Sequence, residues 1–524
     1  MNKYLVLFAL FMVVGGCTVA KPQAAQSVCA RNTVVDDQAC NVIEGWGGNH
    51  VVPGLVAATI SGGGRVGFPN QVIADMGTIS GGLNNQAGEL ATVGGGSSNV
   101  ARGFRATISG GARNAANRDS ATVGGGFSNL ASGAHATVSG GNVNAATEVN
   151  ATVGGGDGNV ASERHSTVGG GTANAASGFI GTIAGGAYNK ASAAYTAVGG
   201  GLANVASGIQ ATVGGGAGNV ASGYDATIGG GMNNRVMDDY GTVGGGRSNI
   251  AGSVNDDPTD GGYATIGGGA GNVASGPFSV VPGGSLNTAA GAFSFAVGRR
   301  ASIDAAHDGV FLYADSSDSD FHSVSANEFA VRATGGVRFV TAIDGAGKPL
   351  VGARLVAGSG SWSTLSDRNA KTGFAPVDGR DILERVMRLP LAAWSYKTQP
   401  ASIRHVGPMA QDFYSIFGVG EGDGYISSVD ADGVTLAAVQ GLYQVARDQE
   451  AQIRAQQRRI ETMEADMAAQ QSRLAALEAR LSALEQAKRD AAFQPISANL
   501  SVGWPMVGLC LLGLTLVRWR RTVN

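Results

Sequence analysis

The 524-residue sequence is poor in charge and in cysteine, and each shortage excludes a class of function. Charged residues make up only 14% and the net charge is −3, so the sequence offers no basic surface for nucleic acid. The 4 cysteines have no histidine at metal-ligand spacing, and we predict neither a metal site nor a cofactor. Disulfide chemistry is open only to Cys29 and Cys40, for which a bonded loop and two free thiols are both possible.

Glycine is what the sequence has in excess, with 85 residues. Most belong to a repeat in which a valine or isoleucine recurs every fifteen residues and is followed by small residues. An asparagine stands six residues after each of these positions. The regular apolar positions are Val93, Ile108, Val123, Val138, Val153, Val168, Ile183, Val198, Val213, Ile228 and Val243, and the pattern returns at Ile266 and Val281.

One repeat, Ala211 to Gly223, shows how such a unit folds. Its Ala-Thr-Val segment alternates at the period of a strand, its glycines permit a positive φ, and its Asn219 suits a turn that stacks on its copies. No unit can bury its small apolar face alone, so stacked coils about 4.8 Å apart must form a shared core. We therefore predict a parallel β-roll or solenoid over residues 57–301.

Several motifs inside the array carry no function. Gly-x-Gly-x-x-Gly arises by default in so glycine-rich a region, and no amphipathic helix follows it. The array has neither calcium-binding repeats nor the paired carboxylates of a glycosidase. The insertion from Val254 to Gly261 carries Asp256, Asp257 and Asp260, which we interpret as a solvated loop rather than a cation site.

Ligand contacts are more plausible on the outer faces of the coils, where the sequence varies. Aromatic side chains there can stack on sugars or on apolar protein patches, or they can simply cap the corners of the solenoid. The candidate positions are Phe104, Arg105, Phe127, Phe179, Tyr188, Tyr195, Tyr224 and Tyr240.

The N-terminus predicts export. Lys3 precedes an apolar run that ends in Val14-Gly15-Gly16-Cys17, which resembles a bacterial lipoprotein cleavage box. We predict a signal peptide over residues 1–16, lipidation of Cys17 and a linker over residues 17–56. An ordinary signal peptide and an uncleaved anchor are the alternatives.

The C-terminal part of the chain carries two apolar patterns, and each pattern predicts a different kind of helix. Apolar residues repeat as heptads over residues 441–488, which predicts a coiled coil with Leu474 and Leu481 at a and Leu477 at d. Within residues 489–524, the apolar run from Leu500 to Val517 ends in arginines. This run predicts a transmembrane helix with a cytoplasmic end, or alternatively a sorting tag removed during delivery.

The stretch between array and coiled coil contains a serine and a lysine five residues apart. Residues 302–360 alternate as short strands, and Gly360 to Lys371 then reads Gly-Ser-Trp-Ser-Thr-Leu-Ser-Asp-Arg-Asn-Ala-Lys. A serine hydroxyl becomes a nucleophile when a base removes its proton, and a neutral lysine amine can be that base. Spacing alone is weak evidence for such a dyad, since most serines and lysines so spaced are unrelated surface residues.

Several motifs that follow one another along the chain strengthen the evidence for this dyad. Together with that stretch, Trp394-Ser395-Tyr396-Lys397, His405 to Gln411 and Val429 to Val434 resemble the peptidase S74 family of intramolecular chaperones. The resemblance covers residues 361–440 and implies a small mixed α/β domain. It implies Ser366 as nucleophile, Lys371 as general base, Leu365–Ser366 as the cleaved bond and Asp367 as the residue that orders the turn. It gives no catalytic step to His405 or Asp430.

Two further resemblances complete the interpretation. The array resembles the head repeats of YadA-type trimeric adhesins, and residues 302–360 resemble the neck of phage tail fibres. The YadA-type and S74 resemblances imply a homotrimer, which the heptads alone do not specify. We therefore expect a mainly β protein of the bacterial cell envelope, with a solenoid head, an S74 domain, a coiled coil and a C-terminal apolar helix. Its expected partners are its own copies, a membrane, and a carbohydrate or protein ligand on the head.

Overall fold

The computed structural model describes residues 26–27, 40–253, 255, 257 and 260–491. The chain divides into two compact units. The first runs to Phe339 and takes in Ala353–Ser363, whereas the second takes in Val340–Gly352 and the chain from Thr364 on.

The first unit is a solenoid of short strands in two parallel rows. The first row contains Val42–Ile43, Thr59–Ile60, Thr78–Ile79, Thr92–Val93, Thr107–Ile108, Thr122–Val123, Thr137–Val138, Thr152–Val153, Thr167–Val168, Thr182–Ile183, Ala197–Val198, Thr212–Val213, Thr227–Ile228, Thr242–Val243, Thr265–Ile266, Val280–Val281, Gly284–Ser285, Phe295–Arg299, Phe311–Ala314 and Phe329–Arg332, and Gln26–Ser27 joins its first strand antiparallel. The second row contains His50–Val51, Gln71–Val72, Gln86–Ala87, Val100–Ala101, Ala115–Ala116, Leu130–Ala131, Ala145–Ala146, Val160–Ala161, Ala175–Ala176, Lys190–Ala191, Val205–Ala206, Val220–Ala221, Arg235–Val236, Ile250–Ala251, Val273–Ala274, Thr288–Ala289, Ala301–Ile303 and Phe321–His322. The predicted parallel solenoid is confirmed.

In the two-residue strands of the repeats the first side chain points outward and the second points into the core. In Thr107–Ile108 the threonine faces outward and the isoleucine is fully buried, and in Ala115–Ala116 the second alanine is fully buried. Identical residues stack in register, as Thr107 does on Thr122. The core is therefore a continuous column to which most coils add one branched side chain from the first row and an alanine or valine from the second row. Many coils add a further buried alanine just before the first-row strand, as Ala106 does before Thr107–Ile108.

The repeated asparagines form a buried ladder along one corner. Asn114 donates its backbone N–H to Oδ1 of Asn99 at 3.0 Å, and its amide donates to the carbonyls of Gly110 at 2.9 Å and Gly126 at 3.0 Å. The same pattern runs from Asn70 to Asn287. Each side chain thereby satisfies polar backbone groups of neighbouring coils that would otherwise be buried without partners.

The last of the three residues that follow the buried valine or isoleucine is a glycine in each repeat, for two physical reasons. Gly111 has φ +83°, and a Cβ built on it would lie 2.1 Å from the carbonyl oxygen of Gly126 in the next coil. Both the backbone conformation and the close approach therefore require glycine at this position.

The solenoid continues beyond the last fifteen-residue repeat, in longer coils. Phe295, Phe311 and Phe329 stack with ring centroids 5.0 and 4.9 Å apart, which keeps these strands in register. At this end Arg332 pairs with Asp315 at 3.1 Å. The Thr334 hydroxyl and backbone N–H, with the N–H of Ser317, hold the pKa of Asp315 well below its usual range.

Mixed structure follows the solenoid. A three-stranded sheet contains Gly336–Ile343, Pro349–Val356 and Trp362–Thr364. The elements after it are a 3₁₀ turn at Arg368–Ala370, helix α1 at Gly379–Arg388, the antiparallel strands Ala392–Trp394 and His405–Gly407, helix α2 at Ala410–Phe417 and helix α3 at Ser428–Ala491. The small mixed α/β region and the long helix agree with the prediction.

Helix α1 packs closely against α3. Gly379 and Gly441 touch, since a Cβ on Gly441 would lie 2.0 Å from the carbonyl oxygen of Gly379. Arg380 of α1 forms an ion pair with Asp448 of α3, and Arg385 donates to the carbonyl of Ile416 in α2 at 3.2 Å.

The apolar heptad positions of α3 are exposed in the single chain. Leu474, Leu477 and Leu481 have 58, 59 and 61% of their surface exposed. No helix within the described ranges has both the length and the apolar composition needed to cross a bilayer. The run from Leu500 to Val517, for which we predict such a helix, lies outside the described residues.

Candidate active site

The predicted site begins where the strand Trp362–Thr364 ends. The backbone N–H of Leu365 donates to the carbonyl of Gly352 at 2.9 Å, which extends the strand's pairing by one residue. The chain then turns into the 3₁₀ segment Arg368–Ala370, whose C-cap residue is Lys371. The predicted cleavage point therefore lies between a paired strand end and a tight turn.

Asp367 caps this turn. Its Oδ1 accepts from the backbone N–H of Asn369 at 2.9 Å and from the Asn369 side-chain amide at 3.1 Å, as expected of an N-cap aspartate. Lys348 lies 3.6 Å from the other carboxylate oxygen. The Asn369 N–H and, less strongly, the Lys348 charge lower the pKa of Asp367.

The turn brings Ser366 and Lys371 together. Nζ of Lys371 donates to Oγ of Ser366 at 2.6 Å, and both side chains are exposed. Because this contact already places an amine on the serine hydroxyl, the geometry suits proton transfer from Oγ to a neutral lysine. Among the described residues, Ser366 and Lys371 are both open to water.

His405 is a packing residue of the neighbouring hairpin. Its ring lies against Trp394, with centroids 4.8 Å apart, and against Tyr396 at 5.5 Å. Its Nε2 lies 2.9 Å from Oε1 of Gln399. This supports the interpretation that gives His405 no catalytic step.

The other residues of the S74 motifs have local structural roles. Met409 is the N-cap residue of α2, which ends at Gly418 in the left-handed conformation. Asp430 lies in the first turn of α3, and its backbone N–H donates to the carbonyl of Ser427 at 3.1 Å.

Sequence reasoning missed two contacts of this unit. Lys348 reaches Asp367 from a separate hairpin, and no motif links the two positions. The Gly379–Gly441 contact joins two helices far apart in sequence. A glycine within a heptad helix was the only available signal, and glycine was too common in this chain to stand out.

The candidate modification residues are only partly described. Cys17 and Cys29 lie outside the described residues, whereas Cys40 is disulfide-bonded. The pairing of Cys40 with Cys29 stays a prediction. In the described part of the chain, no group of three or more histidine, cysteine, aspartate or glutamate residues is placed to hold a metal ion.

The aromatic candidates lie on the corners, and several contact one another. The candidate Tyr240 forms an exposed stack with three aromatic residues that were not among the candidates, with centroids 4.7 to 5.1 Å apart and near-parallel planes. These residues are Tyr263, Phe278 and Phe293. Most ring faces in this stack are therefore covered by the next ring, which leaves edges rather than faces for a ligand. Other candidates make edge contacts, as Phe179 does with Tyr195 at 5.6 Å.

A carboxyl is buried beside the insertion. Asp238 is 1% exposed and accepts from the backbone N–H of Ser253 at 2.7 Å. Burial raises its pKa, and nearby Asp260 adds to this effect. Asp260 itself bonds to Ser253 and Asn255, so it is a structural part of this loop.

Comparison with known proteins adds one finding to this geometry. A search of the curated proteins finds no significant match to the chain. Residues 366–418, which begin at the serine of the Ser366–Lys371 contact and end at the C-cap of α2, match the family model Peptidase_S74, described as the chaperone of endosialidase.

Proposed function

We propose that this protein is an exported, trimeric, adhesin-like fibre whose S74 domain assists assembly and then cuts its own chain once, before Ser366. The 2.6 Å contact between Lys371 and Ser366, inside the region that matches the chaperone family, is the observation that carries the proposal. The head is the solenoid, and its resemblance to YadA-type repeats supports an adhesive role.

The chemistry needs only groups of this chain. Lys371, as a neutral amine, takes the proton of the Ser366 hydroxyl, and Oγ attacks the carbonyl carbon of Leu365. The bond between that carbon and the Ser366 nitrogen breaks as the nitrogen takes the proton held by Lys371, which leaves an ester on Oγ and returns Lys371 to the neutral amine. Water then hydrolyses the ester to a Leu365 carboxylate and the free Ser366 hydroxyl.

Exposure of the pair explains why assembly should come first. An exposed ammonium is well hydrated, whereas burial favours the neutral amine that the reaction requires. The second unit also exposes many large apolar side chains, such as Phe374, Val406 and Tyr425 at 63, 78 and 91%. Apolar surface on this scale is typical of protein interfaces, so partner chains are expected to cover this unit.

The envelope location rests on the sequence. A lipid at Cys17 would hold the head, and the apolar run from Leu500 to Val517 would hold the chaperone. Cleavage before Ser366 would separate these two anchors. If the run is instead a sorting tag, its removal would leave the lipid as the one anchor.

Substitution of the pair tests the cleavage. Ser366→Ala and Lys371→Ala should each leave an uncut chain, near 52.4 kDa before signal removal, because the first lacks the nucleophile and the second its base. Lys371→Arg should also stay uncut, since a guanidinium remains protonated. Intact-mass analysis of the wild type should give a fragment ending at Leu365 and another beginning at Ser366.

Ser363→Ala is the matched control, because it removes a nearby exposed hydroxyl and should leave cleavage unchanged. A tail fragment with any other first residue, or cleavage that survives Ser366→Ala, contradicts the assignment. An uncut but assembled wild type would favour the alternative, a structural stalk or adhesin with a degenerate S74 domain.

A further inference from the structure

A shallow groove lies on the asparagine-ladder side of the solenoid, at the two residues that precede the ladder asparagine in each coil. Its volume is about 410 Å³. Four successive coils supply two residues each, in a regular grid. The lining residues are Met232, Asn233, Arg247, Ser248, Ala270, Gly271, Ser285 and Leu286. The first residues of the pairs are bridged in parallel register, so the groove is as regular as the coils themselves.

The groove exists because one of the four pairs that line it has much smaller side chains than the others. Ala270 and Gly271 form a low floor, whereas Met232 and Leu286 at the two ends are 44 and 49% exposed. Leu286 leans over Gly271, since its Cδ2 would lie 2.9 Å from a Cβ there. The groove therefore combines apolar walls with a polar middle.

Arg247 is the one charged residue between the glycines and the ladder asparagine in the coils from Leu202 to Leu286. Within the part of the chain that the structure describes, its guanidinium has no ion pair, and the Ser248 and Ser285 hydroxyls have no bonding partner. Arg113, on the same side of another coil, instead lies over the ring of Phe127 at 5.4 Å. Arg247 thus offers an unpaired fork of donors to an anion.

We propose that this groove binds an acidic saccharide, with the sugar carboxylate on Arg247. The hydroxyls of Ser248 and Ser285 and the amide of Asn233 suit sugar hydroxyls, and the Met232 and Leu286 walls suit the apolar edges of a sugar ring. A nucleic acid would need several cations, and the groove has one. The site rests on the proposed adhesive function and names the chemistry of its ligand.

The test is calorimetric titration of the purified full-length protein with a panel of oligosaccharides. The panel carries glucuronic, galacturonic or sialic acid, each beside its carboxyl-reduced form. At least one acidic member should bind, and its reduced form should bind about tenfold more weakly or not at all, because the charged hydrogen bonds are lost. Arg247→Ala should cause a similar loss, whereas Arg113→Ala should leave affinity unchanged.

A second variant fills the groove and leaves the charge of Arg247 unchanged. Ala270→Phe should abolish binding, and it should fold because Phe127 occupies the equivalent position in another coil. Ala112→Phe, at the same position of a distant coil, is its control. A panel in which no acidic member binds, or binding that survives both Arg247→Ala and Ala270→Phe, overturns the site.

Assays of cell adhesion and of self-cleavage distinguish failure of the proposed groove from failure of the proposed function. If wild type and Arg247→Ala adhere equally to cells, the head is an adhesin and the groove is not its binding site. If the wild type neither adheres nor binds any saccharide, the adhesive role itself falls. Intact mass reports self-cleavage independently of both results.

Discussion

The solenoid and the helical unit treat their apolar residues in opposite ways. Coil residues such as Ile108 and Ala116 are fully buried within one chain, and the ladder asparagines satisfy the buried polar groups beside them. In the second unit, Phe413 and Phe417 are among the few large side chains that are buried, whereas the heptad leucines are exposed. The solenoid can therefore hold its fold by contacts within one chain, whereas the second unit leaves apolar surface exposed for the partner chains that we propose.

The largest effect is expected when the apolar heptad positions of α3 are replaced by charged residues. Leu474→Glu, Leu477→Glu and Leu481→Glu together should abolish the trimer, because like charges would replace the apolar seam of α3. The solenoid of the monomers should stay folded. Light scattering measures the assembly, and limited proteolysis measures the head.

Alanine substitution of Arg473, Glu478 and Arg480, which flank the same seam, should leave the trimer intact. A soluble trimer in the triple glutamate variant would contradict the role assigned to α3. Unfolding of the head together with loss of the trimer would remove the contrast between the two units.

The next largest effect is expected when one asparagine of the ladder is replaced. Asn174→Ala removes the Oδ1 acceptor of the Asn189 N–H at 3.0 Å and both amide donors to glycine carbonyls. We expect a loss of about 2 to 4 kcal/mol in the free energy of unfolding, because several buried polar groups lose partners at once. Denaturant unfolding of the uncut chain measures it.

Thr172→Ala lies in the same coil and removes an exposed side chain, so it should change stability by less than about 0.5 kcal/mol. Equal stability of the two variants would show that the ladder contributes little.

The smallest effect concerns the solenoid end. Since hydrogen bonds hold the pKa of Asp315 below its usual range, its contribution to stability is complete above pH of about 4 and is lost as pH falls through the folded-state pKa. Hydrogen exchange of Phe311–Ala314 and Phe329–Arg332 should therefore speed up in acid more than exchange in central coils. In Asp315→Asn this acid sensitivity should shrink, and an unchanged pH profile would contradict the assignment.

Periodicity was enough to predict the solenoid, because every coil repeats the same short-range pattern. It did not reveal the coils at Phe311 and Phe329, since longer loops there remove the fixed spacing and aromatic stacking keeps the register instead. The contact of Ser366 with Lys371 was foreseen through family resemblance. The Lys348–Asp367 pair was not, because Lys348 lies in the loop between two strands and Asp367 caps a later turn, and a contact between such separate segments leaves no trace in local sequence.

The asparagine ladder also bears on how such a gene changes. Each coil presents the same acceptor to the coil after it and the same donor to the coil before it. Unequal recombination that removes or adds a whole unit rejoins equivalent surfaces, and the ladder also continues through coils of 14 and 23 residues, from Asn85 to Asn99 and from Asn249 to Asn272. Head length should therefore vary between strains in steps of one coil, about 4.8 Å each, so that copy number sets how far the protein reaches.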